Sequence, residues 1–301
     1  MPRIAFVRAQ RVLRSSELLA MPPVFAGRSM KLSEAGELGL LAELERRGLA
    51  QRIENDAAEL GDAGVIVTQD ALVEDVHFRL DWISWRDLGW RAAAVNLSDL
   101  AASGADAQGL LVTLAAPGDV QVEDVVELYE GIAETGVPVV GGDTSTARSI
   151  MLSVTAIGHS DRVPGRAGAI LGDRLIVTGP LGAAGAAFRR ESYARPPLRL
   201  NEGKQLGAYA NAVLDISDGL AVDAGHIASR SGCRVVIELE RVPLAAGTEL
   251  SDLGFGEDYE LLAAVDSPSA HTIIGHCDEG TGVELTLNGE PYELGGWQHF
   301  R

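Results

Sequence analysis

The sequence predicts an α/β or α+β protein of two domains, with mixed sheets flanked by helices. Three observations carry this. A chain of 301 residues with 46% hydrophobic content is long enough to bury two cores. Strand-like and helix-like runs intermix in both halves. The turn-rich Arg162-Val163-Pro164-Gly165 then punctuates the middle and places a boundary between domains 30–162 and 163–301.

Residues 1–29 carry five arginines against one acid, Glu17. Arg14 and Glu17 interrupt the apolar run a signal peptide needs. The stretch reads as an N-terminal extension, disordered or upstream of the true start; its composition also suits a transit peptide. After it, Leu32 to Leu49 reads as a helix. Gly64 to Thr68 reads as a strand and Leu72 to Phe78 as another. Asp87 to Ser103 reads as a helix whose stripe is Leu88, Ala92, Val95, Asp99 and Ala102. A buried strand follows at Leu110 to Ala115 and a helix at Val122 to Glu134. Val137 to Val140 is a short strand ending at Gly141-Gly142, with Pro138 expected at its start because it cannot donate to a ladder. Ile150 to Gly158 is a long strand. The second half reads as strand Arg174 to Thr178, helix Pro180 to Phe188, strand Ala212 to Leu214 entering Asp215, helix Leu220 to Ser229, and strands at Val235 to Leu239 and Tyr259 to Val265.

Composition narrows the function. No stretch of about 18 apolar residues escapes interruption by charge, so no membrane-spanning helix is expected. The 43 acids against 25 basic residues give a formal net charge of −18, the opposite of a phosphate-backbone binder. Nucleic acid and membrane are therefore not expected as partners. Two cysteines, Cys233 and Cys277, make no framework and suit a reducing cytoplasm. Lysine occurs only at Lys31 and Lys204, and no G-x-x-x-x-G-K-[S/T] motif exists. Any phosphate chemistry here is not that of a P-loop.

The chemistry-bearing residues are acids. Asp70 and Asp143 each follow an apolar strand, Asp215 ends one, and Asp99 points with an apolar stripe. Each alone reads as a turn or structural aspartate. A buried carboxylate must be paired, hydrogen-bonded, neutral or metal-bound. Together these four read as one cluster. Oxygen-only donors suit Mg²⁺, Ca²⁺ or Mn²⁺ rather than zinc. Acids face a polyphosphate only through cations, since like charges about 4 Å apart repel by roughly 4 kcal/mol at intermediate dielectric. Gly141-Gly142 lets backbone approach closely, and Ser217 opens a helix that offers N–H groups to an anion. The residues alone thus reach a divalent-metal enzyme of phosphate chemistry.

Six segments in this order resemble the thiamine-monophosphate kinase family. They are Asp70-Ala-Leu-Val-Glu-Asp-Val-His-Phe78, Ala94-Val-Asn-Leu-Ser-Asp99-Leu-Ala-Ala102, the Gly-Gly-Asp-Thr at Gly141, Asp215-Ile-Ser-Asp-Gly-Leu220, Gly256-Glu-Asp-Tyr-Glu-Leu-Leu262 and Gly296-Trp-Gln-His-Phe300. The family shares a superfamily with aminoimidazole ribonucleotide synthetase, whose two-domain fold is implied here. The resemblance implies ATP-dependent phosphorylation of thiamine monophosphate by in-line transfer with several Mg²⁺ ions, in a cytoplasmic homodimer joined through the first domain. It places metal ligands at Asp56, Thr68, Gln69, Asp70, Asp99, Asp143, Asp215 and Asp218. ATP contacts fall on Tyr129, Gly142, Asp143, Arg166 and Ser217. Arg166, Asp99 and Asp215 take the catalytic roles, and His77, read on a strand, Glu257 and Trp297 take the acceptor.

The chain also departs from the family pattern. The usual Gly-Ile-Gly-Asp-Asp reads Ile53-Glu54-Asn55-Asp56 at its end, without the glycines, and the usual Ser-Thr-Asp is Thr68-Gln69-Asp70. Two rival readings follow: a weakened or inactive relative that binds nucleotide or thiamine phosphate, and another ATP-dependent enzyme of the superfamily.

Overall fold

The computed structural model describes residues 31–50, 55–61, 64–267 and 269–296. The 1–29 extension and Trp297 lie outside the described residues. The elements in order are α1 (Leu32–Arg46), β1 (Ala58–Leu60), β2 (Val65–Val73), α2 (Trp85–Ala102), β3 (Asp106–Ala116), α3 (Val122–Ala133), β4 (Val139–Thr146) and β5 (Met151–His159). Then come β6 (Arg174–Val177), α4 (Ala183–Phe188), α5 (Leu200–Tyr209), β7 (Ala212–Asp215), α6 (Leu220–Ser231), β8 (Arg234–Glu238), β9 (Leu261–Val265), β10 (Thr272–Asp278), β11 (Gly282–Leu287) and β12 (Glu290–Pro291). Among the described residues, no helix is long and apolar enough to cross a membrane.

The strands form two sheets, ordered β1-β2-β5-β3-β4 and β12-β11-β8-β10-β6-β9-β7. Both are mixed: β3 pairs β4 parallel and β11 pairs β8 parallel, while the other pairings are antiparallel. This is the α/β architecture that the intermixed pattern predicts.

Helix α2 joins the two halves. Its residues from Leu88 to Ser98 are buried except Trp90, the composition of a helix covered on most sides. It packs on β2, β3 and β5 of the first sheet and touches α5, β7 and β9 of the second half. Ala101 and Ala102 share a core with Leu206, Val213, Leu261 and Ala263. Two glycines let α3 lie flush on α2. A Cβ on Gly89 would fall 1.8 Å from the Leu128 carbonyl oxygen, and one on Gly131 would fall 1.8 Å from that of Arg86.

Several local expectations change. Residues 65–73 form one strand, because all nine pair in unbroken register with His159 to Met151 of β5. The expected second strand at Leu72 to Phe78 is therefore only its end. The chain turns at Asp75, where φ is 64°. His77 lies in that turn rather than on a strand, donating its amide to the Val73 carbonyl at 2.8 Å. Strand β4 begins after Pro138, as expected, but continues through Gly141-Gly142 to Thr146. Asp143 is thus mid-strand on an open edge, where all eight residues of β4 are exposed. The sequence pattern did not show α5, β1 or β10 to β12. Helix α5 carries two glycines and forms against α2, where Gly203 approaches Ala101 closely.

Candidate active site

A cleft of about 570 Å³ is lined by β2, α2, the end of β7 and the loops at 55–56, 166, 217–218 and 257–259. Each element delivers its residue for a local reason. Alternation along β2 turns Thr68 and Asp70 toward α2. The stripe of α2 delivers Asp99, and Ser98 beside it reaches β7. The end of β7 delivers Asp215. Carboxylate oxygens of Asp56, Asp99 and Asp215 lie within 4.8 Å of one another. Thr68 Oγ1 donates to Asp99 Oδ2 at 2.5 Å, and Ser98 Oγ donates to Asp215 Oδ2 at 2.6 Å.

The crowding shows in the acidities. Burial, and then the charges of Asp70, Asp215 and Asp56, hold the Asp99 carboxyl well above the usual carboxylate range. Burial and the Asp56 charge push Asp215 up to about 8, against the Ser98 hydroxyl and Arg166, which favour its charged form. Arg166 is the nearby countercharge. Its Nε donates to Asp56 Oδ1 at 3.0 Å and its Nη2 contacts the same oxygen. Asn55 Oδ1 accepts the Arg166 amide at 3.1 Å and so shapes that loop.

The structure therefore brings together Asp56, Thr68, Asp70, Asp99, Arg166, Asp215, Ser217 and Asp218, with His77 and Glu257 at the same cleft. Gln69 borders the cleft, but its side chain takes the other face of β2. There Nε2 donates to Ser153 Oγ at 2.9 Å and Oε1 accepts from Thr155 Oγ1 at 3.3 Å. Tyr129 on α3 packs against the first core, and Gly142 and Asp143 sit on the exposed edge of β4. None of these three lines the cleft. The expectation that Ser217 opens an anion-binding helix end is also corrected. The amides of Ser217, Asp218 and Gly219 all donate to Asp223 Oδ2, at 3.1, 3.0 and 3.0 Å. The chain's own carboxylate fills that cradle.

The far end of the cleft is built differently. A smaller pocket of about 50 Å³, lined by aromatic side chains including Trp82, Phe188, Tyr193 and Phe255, shares His77, Arg91 and Glu257 with the cleft. Phe188 lies 5.5 Å from Trp82 and 4.9 Å from Phe255, centroid to centroid. Glu257 stands in a strained loop. Its φ is 61° and that of Tyr259 is 51°, each costing on the order of 1–3 kcal/mol for a residue with a Cβ. Gly256, at φ 79°, has no room for one: its Cβ would fall 2.2 Å from the Ser217 carbonyl oxygen. The loop is held by Glu257 N donating to Ser217 O at 2.8 Å and Tyr259 N to Ile216 O at 2.9 Å. The sequence motifs assign no role to Arg91, Asp223 or Tyr259. For Arg91 the signal existed, since a charge inside the apolar stretch of α2 is as conspicuous as Asp99.

Residues 54–160 match the family described as AIR synthase related protein, N-terminal domain. The chain is 34% identical over 309 aligned positions to the thiamine-monophosphate kinase of Aquifex aeolicus (strain VF5), covering 90% of this chain and 100% of the relative. It is 35% identical over 283 positions to that of Mycobacterium tuberculosis (strain CDC 1551 / Oshkosh), covering 82% and 84%. The solved structure "AaThiL complexed with AMPPCP and TMP" superposes with a TM-score of 0.81 at 34% identity, over 90% of this chain and 99% of that one. With the fold, the order of motifs and near full-length similarity in agreement, the chain belongs to the thiamine-monophosphate kinase family.

Proposed function

We propose that the chain transfers the γ-phosphoryl group of ATP to the phosphate of thiamine monophosphate, forming thiamine diphosphate and ADP. The observation that carries this is one cleft holding a crowded carboxylate cluster beside Arg166 and, at its other end, His77 and Glu257 next to an aromatic pocket. An acceptor-phosphate oxygen attacks the γ-phosphorus, and the bond from that phosphorus to the β-bridging oxygen breaks. No covalent enzyme intermediate is required, so the chain's task is alignment and charge balance. Arg166 offers a planar, permanently charged fork to phosphate. His77 and Glu257 orient the organic part of the acceptor.

The cluster fits Mg²⁺. Three carboxylates lie within 4.8 Å of one another, and burial, then neighbouring negative charge, holds the Asp99 and Asp215 carboxyls above the usual carboxylate range, so the cluster calls for a cation. Asp56, Asp99 and Asp215 would hold the ion or ions, with Thr68, Asp70 and Asp218 at the edge. When bound, Mg²⁺ would neutralise phosphate charge during the transfer.

A homodimer through the first domain is part of this reading. The edge of β4 is exposed along all eight residues, with Val140 62% exposed, and an open strand edge is a pairing surface. Gly142, Asp143 and Tyr129, which do not line their own cleft, would then serve the nucleotide from that interface.

A coupled assay with ATP, Mg²⁺ and thiamine monophosphate tests the activity. Turnover to thiamine diphosphate is expected; nucleotide and acceptor binding without turnover would favour the inactive-relative reading, which Asn55 supports by removing one acid.

A further inference from the structure

Arg91 is a buried charge that the proposed chemistry does not use. It lies on α2 with 3% of its surface exposed. A guanidinium stays charged, so a buried one needs matched acceptors. Nη1 donates to the main-chain carbonyl of His77 at 2.6 Å, and Nη2 donates to Glu257 Oε1 at 2.7 Å. The guanidinium carbon lies 5.0 Å from the centroid of the Tyr193 ring. Its Nε is buried without a hydrogen-bond partner. One fork thus ties together two residues far apart in sequence, both standing where the cleft opens into the aromatic pocket.

Both partners need holding. His77 sits in the reversal after β2, and Glu257 sits on left-handed backbone in the 256–260 loop. Neither belongs to a regular element. Arg91 does, and α2 is packed by both halves of the molecule, so the fork has a fixed origin.

We propose that Arg91 is a positioning residue for the acceptor end of the site: it fixes the His77 turn and the Glu257 carboxylate, and thereby sets acceptor affinity without touching the reacting phosphates. This rests on the acceptor role proposed above for His77 and Glu257. A lysine at this position keeps the charge but offers a point rather than a fork, and does not span both partners.

The test uses the full chain and five proteins: wild type, Arg91→Lys, Arg91→Met, Glu257→Gln, and the double variant Arg91→Met with Glu257→Gln. Calorimetric binding of thiamine monophosphate and of ATP is read beside melting and steady-state kinetics. Arg91→Lys is expected to weaken thiamine monophosphate about tenfold while ATP affinity stays within about twofold. The KM for the acceptor rises more than kcat falls. Arg91→Met weakens the acceptor further, but adds less in the Glu257→Gln background than alone, because part of its effect runs through Glu257. Equal losses for both ligands, fully multiplicative effects in the double variant, or a lower melting temperature with unchanged acceptor affinity would each overturn the proposal. If Arg91→Met does not fold, Arg91→Lys makes the same comparison of ligands, and its double variant with Glu257→Gln the same test of coupling. Wild-type binding of thiamine monophosphate without turnover would defeat the proposed activity and leave the role of Arg91 to be read from affinities. No binding by the wild type would defeat both.

Discussion

The two ends of the cleft solve charge in opposite ways. At one end Asp56, Asp99 and Asp215 crowd together, and Arg166 engages Asp56 alone among them. At the other end Arg91 and Glu257 form a buried pair whose charges cancel. The first end is incomplete by itself and stores repulsion that a cationic guest relieves. The second has its charges paired before any ligand arrives. The difference teaches where binding energy comes from: neutralisation at the carboxylate end, preorganisation at the acceptor end.

The largest expected effect breaks the incomplete end. Asp99→Asn or Asp215→Asn should lower turnover at least about a hundredfold, since charge developing in transfer loses its balance. Folding should survive, because each change also removes repulsion. Steady-state kinetics with a melting scan decides; near-normal turnover in either variant would remove that residue from the cluster's role.

Stability should separate the ends by sign. Glu257→Ala strands the buried Arg91 charge and should destabilise the fold by about 3 kcal/mol. Asp215→Asn, measured without divalent metal, should leave stability unchanged or raise it. Denaturant midpoints compare the two directly, and a loss in both would show that the carboxylate end is balanced after all.

The pH dependence follows from the same contrast. In the folded chain the Asp99 carboxyl is held well above its ordinary value and that of Asp215 is pushed up to about 8. The folded state therefore binds more protons than the unfolded one between about pH 4 and about pH 8. The contribution of these groups is full below about pH 4 and is lost as pH rises toward 8. Metal-free protein should melt lower at pH 8 than at pH 6, Asp215→Asn should flatten that slope, and added Mg²⁺ should restore the loss. A melting temperature that rises with pH over this range would contradict the repulsion.

How much of this was legible in the sequence depends on the reach of the signal. The α2 stripe placed Asp99, and strand-end position placed Asp215, because helix and strand periodicities are local. The same periodicity holds at Gln69, where the motif grouping fails. Its neighbours Thr68 and Asp70 face the cluster, so alternation already turns Gln69 away, yet the motif grouped all three. His77 was read on a strand because apolar alternation runs past Val73, whereas β5 ends opposite it at Met151. Asp143 reads as a strand-end acid because Gly141-Gly142 looks like the end of the strand; β4 instead runs on to Thr146, and pairing with β3 puts Asp143 on an open edge. Arg91 and Asp223 depend on contacts across the chain, to Glu257 and to the amides at 217–219, which no local pattern contains.

The smallest effect concerns the two departures from the family pattern. Gln69 directs its amide to Ser153 and Thr155, away from the carboxylates. Gln69→Thr should therefore leave the Mg²⁺ requirement unchanged. Asn55 is different. It is exposed at the rim beside Asp56, and its Oδ1 accepts the Arg166 amide. A carboxylate at that position can accept the same hydrogen bond while adding one negative charge near the cluster. An exposed charge interaction is worth a few tenths to about 1 kcal/mol, or roughly two- to fivefold in affinity. Asn55→Asp should thus lower the Mg²⁺ concentration for half-maximal rate by that modest factor, and Gln69→Thr should add nothing to it. The measurement is a titration of free Mg²⁺ at fixed ATP for both single variants and the double. A shift produced by Gln69→Thr alone would mean that this side chain leaves β5 when the site is loaded. No shift from Asn55→Asp would confine position 55 to shaping the Arg166 loop.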